Sequence, residues 1–183
     1  MESTIKERRS IFPNQFTGEV IPDAKITELL ELAHWAPSHR KTFPWRFHVI
    51  GGEAKIAFAE FLANTYKNTA AKFSEFKYNK LKQKVLSSSH IVVINMQPDP
   101  EKRVPEWEEL AATAMAVQNL WLGATAKGLG GYWSSPSLID KIPSYLKTAD
   151  NERCLGLFYL GVPGEAKLVK RERPELISYV KWL

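Results

Sequence analysis

The chain has 183 residues, 44% of them apolar and 25% charged, with a formal net charge of +5. That size and balance describe a core-forming globular protein and exclude a disordered chain, a collagenous repeat or a disulfide-stapled mini-domain. The lone cysteine, Cys154, permits no intrachain disulfide and no cysteine–metal spacing; its apolar surroundings read as a buried strand.

In chain order, residues 3–9 predict a first helix, with Ser3 or Thr4 as its N-cap. Pro22 or Asp23 opens a second, because Ile26, Leu29, Leu30 and Ala33 recur at helical spacing, and it stops before Pro37. Residues 45–50 alternate and end in Gly51-Gly52, the pattern of a strand. A third helix is expected over residues 55–65. Residues 67–84 are polar and charged and read as a surface helix or a mobile excursion. Ile91-Val92-Val93-Ile94 is a β-branched run that predicts a strand buried on both faces. Residues 107–127 form the longest helical segment. Leu110, Ala114, Val117, Leu120, Trp121 and Ala124 are expected on one face, and the scarcity of polar residues makes the helix central. Glycines at 128, 130 and 131 end it. A short strand at 131–133, a helix near 137–145 and a buried strand at 154–161 follow. The tail is basic and ends Val180-Lys181-Trp182-Leu183. There is no internal repeat, so residues 1–183 are expected to form one α+β domain in which helices pack on a small sheet.

Membership of a membrane or an export route finds no support. The segment 1–6 lacks the apolar core of a signal peptide and no stretch approaches a membrane span, so a cytoplasmic protein is expected. The positive excess concentrates in 72–84 and 167–173. No zinc-ligand pairs or aromatic RNP run accompany it, so an anionic small ligand fits better than nucleic acid.

Four segments carry candidate chemistry. Arg8-Arg9-Ser10 places two guanidiniums and a hydroxyl together, a set suited to phosphate; alone it reads more readily as a solvated helix end. Trp35-Ala36-Pro37-Ser38-His39 opens a polar loop that presents backbone groups, Ser38 and His39 to a flat ligand, or is simply a surface loop. Gly128-Leu129-Gly130-Gly131-Tyr132-Trp133-Ser134-Ser135 combines close backbone approach with an aromatic wall and two hydroxyls, or is a helix cap followed by a turn. It is not a dinucleotide fingerprint, because it follows a helix and has the wrong spacing. Residues 167–174 form a second cationic arm or a solvated tail.

Taken in order, these segments resemble the nitroreductase family of FMN-dependent oxidoreductases across nearly the whole chain. The matching features are Arg-Arg-Ser, the Ala-Pro-Ser loop leading to Pro-Trp-Arg-Phe, the long apolar helix, Gly-Leu-Gly-Gly-Tyr-Trp-Ser-Ser, and Leu-Gly-X-Pro with a basic tail. The resemblance is to the smallest members. It implies a three-layer α+β fold around a small mixed central sheet, completed by homodimerisation with FMN sites at the subunit interface. Arg8, Arg9 and Ser10 would hold the FMN phosphate, ribityl chain and pyrimidine edge. Trp35, Pro37, Ser38 and His39 would reach FMN from the partner subunit. Trp133, Ser134 and Ser135 would lie beside the isoalloxazine. Gly123, Ala124, Thr125, Ala126, Lys127 and Gly128 match a stretch attributed to NAD(P), and Lys170 and Arg171 a basic tail that caps the phosphate. Trp35 and Pro13 depart from the basic residues common at those positions.

The implied reaction is ping-pong: hydride passes from NAD(P)H to flavin N5 and then to a nitroaromatic, quinone or related acceptor. The flavin carries the chemistry, so no catalytic side chain and no metal are expected. The alternative is a non-catalytic flavin- or nucleotide-binding sensor module.

Overall fold

A computed structural model describes residues 1–165 and 172–183. At its centre is a four-stranded sheet of β1 (Trp45–Ile50), β2 (His90–Met96), β3 (Gly130–Ser134) and β4 (Arg153–Gly161), in the order β1-β2-β4-β3. Every neighbouring pair is antiparallel. This corrects the expected mixed sheet. The crossover from β2 to β3 does leave those two strands parallel, but β4 inserts between them and runs against both.

The sheet is covered on both faces, so its central strands are apolar throughout rather than alternating. Val92, Ile94, Phe158 and Leu160 face one layer, and Ile91, Val93, Leu157 and Tyr159 face the other. The first layer is α2 (Asp23–His34) and α5 (Glu106–Ala126). Ile26, Leu29 and Ala33 of α2 meet Ala112, Ala116, Val117, Leu120 and Ala124 of α5. The helices lie close at Gly123, where an added Cβ would stand 2.5 Å from Leu32 Cδ1. Leu110, expected on the buried face, is 46% exposed, and Ala114 is only half-buried. A helix that is apolar nearly all round does not itself specify which face turns inward.

The second layer is the helical hairpin of α3 (Ala54–Thr69) and α4 (Glu75–Leu86), followed later in the chain by α6 (Ile142–Leu146). Phe58, Ala59, Leu62, Val85 and Ile142 fill its core. The polar segment 67–84 is thus the end of α3, a turn and most of α4. The one fully buried side chain of α4 is Val85, so α4 is a surface helix. Ser74 caps α4 by accepting the Lys77 N–H.

The first helix, α1 (Glu2–Glu7), differs from expectation at both ends. Met1 is its N-cap, so Ser3 and Thr4 lie inside it, and it stops before Arg8. The chain then leaves the helix for the sheet edge: the Ile11 N–H donates to the Gly131 carbonyl at 3.1 Å. Arg8 and Arg9 therefore sit on a connector between a helix and β3.

The β2–α5 connection is pinned by buried charge. Glu109 accepts the Asp99 N–H at 2.9 Å, and the Arg103 guanidinium donates to both Asp99 oxygens at 2.8 Å. Arg103 holds the Asp99 carboxyl down at about 2. A depressed carboxyl stabilises the fold above its unfolded value near 4, and that contribution disappears as pH falls towards 2. Asp99→Asn should therefore lower the melting temperature most above pH 4, with the gap to wild type closing between pH 4 and 2. A gap independent of pH would rule out this ion pair as its source.

Among the described residues no helix is long and apolar enough to cross a membrane, and no His, Cys, Asp and Glu cluster is placed to hold a metal. Cys154 is buried in β4, and burial pushes its thiol up to about 11.

Candidate functional site

The connector after α1 carries two arginines whose donors are not all used. Arg9 Nη1 donates to the Lys6 carbonyl at 2.6 Å and to the Arg8 carbonyl at 2.9 Å. Its Nε is buried and has no acceptor among the described residues; the same holds for Arg8 Nη1. The Arg8 guanidinium lies 4.2 Å from the centre of the Trp121 ring on α5. Burial, first, and then the charges of Arg173 and Arg9 lower the Arg8 pKa. A buried donor left without an acceptor costs about 1–3 kcal/mol, and more when it is charged. Two such cations side by side call for an anion.

A cleft of about 270 Å³ opens beside Arg9, lined also by Glu7, Ile11, Gln15, Thr125, Gly128 and Leu129. Two members of the 123–128 stretch, Thr125 and Gly128, thus share this cleft with Arg9. Gly123 and Ala124 are buried between α2 and α5, Lys127 pairs with Glu28, and Ala126 is exposed.

The Trp133 segment meets the arginine connector at the same sheet edge. Ile11 is hydrogen-bonded to Gly131, and Gly130 packs so tightly there that an added Cβ would lie 2.9 Å from Ile11 Cβ. Trp133 is half-buried on the α5 side, and its Nε1 donates to the Leu155 carbonyl at 3.1 Å. Ser10 and Ser134 are half-buried; Ser135, just past β3, is exposed. The connector that carries Arg8, Arg9 and Ser10 thus runs onto β3, the edge strand that holds Trp133 and Ser134, with Ser135 just past its end. Lys170 and Arg171 lie outside the described residues.

The Trp35 loop is placed differently. Trp35 is 85% exposed and borders a depression of about 410 Å³ with Met1, Thr4, Leu32, Asn119, Leu122, Gly123 and Ala126. Past Pro37, Ser38 Oγ accepts the Phe43 N–H at 2.9 Å and so closes the loop. Arg40, Lys41 and Phe43 all take positive φ, at 51°, 55° and 45°. Each such residue costs about 1–3 kcal/mol, a concentration of strain found at ligand clamps. His39 Nδ1 pairs with Glu108 Oε2 in the first turn of α5. Arg8 packs on Trp121, thirteen residues further along the same helix, which is about 20 Å along its axis. Within one chain, His39 and Arg8 are not brought together.

Trp121 belongs to the arginine niche, although its sequence pattern marks it only as a core residue. Its helical spacing signals burial; the buried Nε1 with no acceptor among the described residues emerges only in three dimensions.

The sequence model of the nitroreductase family matches residues 5–162. A Bacillus subtilis protein, provisionally named the NAD(P)H nitroreductase YfhC, is 33% identical over 180 residues, spanning 95% of this chain and 90% of that one. The crystal structure of a nitroreductase-like family protein from Bacillus cereus superposes with a TM-score of 0.84 at 26% identity, covering 100% of this chain and 95% of the other. A Desulfovibrio desulfuricans protein of the same fold, crystallised with FMN, gives a TM-score of 0.74 at 24% identity over 98% and 94% of the two chains. On its sequence and its fold together, this chain belongs to the nitroreductase family.

Proposed function

We propose that the protein is a single-domain, FMN-dependent oxidoreductase of the cytoplasm that takes hydride from NAD(P)H and delivers it to a nitroaromatic, quinone or similar electrophile in two half-reactions. The reading rests on the paired arginines: buried cationic donors without acceptors among the described residues, on a connector that leads onto the edge strand carrying Trp133 and Ser134. Donor-only groups match a phosphate, and an indole wall with hydroxyls beside it matches a flat ring and its polyol chain. When bound, FMN supplies the hydride chemistry.

The side chains then have distinct tasks. Arg8 and Arg9 bind the phosphate, with Lys170 and Arg171 assigned to its outer side. Ser10, Ser134 and Ser135 offer hydroxyls along the polyol. Trp133, locked by its bond to Leu155, gives the ring a fixed wall. Thr125 and Gly128 line the cleft next to Arg9 and are the members of the 123–128 stretch available to a nucleotide. No protein side chain is assigned a proton or hydride transfer.

We assign the Trp35, Pro37, Ser38 and His39 loop to the FMN site of a second copy. In its own chain the His39 end of this loop is anchored about 20 Å of helix away from Arg8. The exposed apolar side chains Leu32 and Trp35, with Leu176, Ile177, Tyr179 and Trp182 of the tail, are surface that a partner would cover.

The test is direct. Purified protein should be yellow, and NADH or NADPH added without oxygen should bleach it. A nitroaromatic or quinone should then restore the colour. Protein that binds flavin but does not bleach would instead be the sensor module. Sedimentation should give a dimer; a monomer that retains FMN would contradict the shared site.

A further inference from the structure

Trp121 stands out among the tryptophans. Of the three that are not exposed, Trp45 donates its N–H to His34 Nδ1 at 3.2 Å and Trp133 donates to Leu155 at 3.1 Å. Trp121 Nε1 is buried yet has no acceptor among the described residues. A tryptophan serving only to fill the core would be expected to find a partner for that group, as the other two do.

Its surroundings explain what the donor faces. The ring is fixed from below, edge-on against the fully buried Phe158 at 5.2 Å and 80°. The Arg8 guanidinium rests over it at 4.2 Å. Two donors without an acceptor among the described residues, Trp121 Nε1 and Arg8 Nη1, therefore lie together, and Arg9 Nε is a third on the next residue of the connector. None of these groups can accept a hydrogen bond, so a water or a neutral hydroxyl would satisfy them less well than an anion.

We infer that Trp121 is a third N–H donor to the FMN phosphate and the platform that holds the Arg8 guanidinium in place to bind it. This rests on the proposed FMN function. Stacking a cation on the indole face fixes its plane, while the indole N–H lies at the ring edge, clear of the stacked guanidinium. Trp121 is thus a binding and positioning residue; it takes no part in hydride transfer.

The experiment uses Trp121→Phe and Trp121→Leu, each freed of flavin by dialysis against bromide and titrated with FMN and with riboflavin by flavin fluorescence. Phe keeps an aromatic platform and removes only the donor; Leu removes both. Losing one hydrogen bond to a charged group should weaken FMN binding by about tenfold in Trp121→Phe, and by more in Trp121→Leu. Riboflavin, which lacks the phosphate, should bind each variant as it binds wild type. Unchanged FMN affinity in Trp121→Phe overturns the inference, and so does an equal loss for both flavins, which marks a merely structural role. Arg8→Ala separates the two levels. If it loses FMN while Trp121→Phe does not, this inference fails and the FMN function stands; if neither loses FMN, both fail.

Discussion

Arg8→Ala is expected to bind FMN roughly a hundredfold more weakly than wild type, to emerge from purification largely colourless, and yet to be no less stable as apoprotein. The first part follows from charge-assisted bonds worth about 1.5–3 kcal/mol, with every 1.4 kcal/mol a factor of ten in affinity. The second part follows from what the guanidinium experiences without a ligand. It gains a cation–π contact with Trp121, worth about 0.5–2 kcal/mol. Against this stand a buried N–H with no acceptor among the described residues, at about 1–3 kcal/mol, and repulsion from Arg9 and Arg173. The unfavourable contributions match or exceed the favourable one, so removing the side chain does not harm the apo fold. A purely structural arginine behaves in the opposite way: its loss lowers the apoprotein melting temperature and leaves FMN affinity alone. Differential scanning fluorimetry of apoprotein, paired with FMN titration, distinguishes the two.

This dual character also explains why the niche is only half legible in the sequence. Arg8-Arg9-Ser10 is contiguous, and two adjacent guanidiniums with a hydroxyl announce anion chemistry whatever the fold. Trp121 lies on a different element, and a tryptophan at core spacing on an apolar helix announces only burial. Its role depends on the connector 8–12 turning off α1 and pairing with Gly131, a contact that no local pattern encodes. The same distinction runs through the fold. Strands β2 and β4 and helices α2 and α5 follow from runs and periodicities of their own residues. The all-antiparallel sheet does not, because it depends on β4 being inserted between β2 and β3, a long-range choice. Nor does the inward face of α5, where α2 decides which of several apolar stripes is covered.

Gly156 shows how a single residue in a legible strand links fold to site, and replacing it should destabilise the protein far more than the loss of Arg8. Within the apolar run of β4 it interrupts the pattern, a signal for a bulge or a close approach. Both are present. Ile94 pairs with Gly156 and Asn95 with Cys154, so Leu155 is the extra residue of a bulge. The Leu155 carbonyl is thereby released from the ladder and is taken by Trp133 Nε1. Gly156 has φ +146°, and an added Cβ would stand 2.3 Å from that same Nε1 and 2.6 Å from the Ser134 carbonyl oxygen. Gly156→Ala therefore combines backbone strain of about 1–3 kcal/mol with overpacking of about 1–3 kcal/mol, before the loss of the Trp133 bond. A total of about 3–5 kcal/mol corresponds to a fall of roughly 10 °C in melting temperature for a domain of this size. The displaced indole should also alter the absorption of bound FMN, because Trp133 is the assigned ring wall. Arg8→Ala and Gly156→Ala thus fail in opposite ways: the first folds without holding flavin, the second loses stability first. A melting temperature for Gly156→Ala within a degree or two of wild type would mean that the bulge does not hold Trp133 in place.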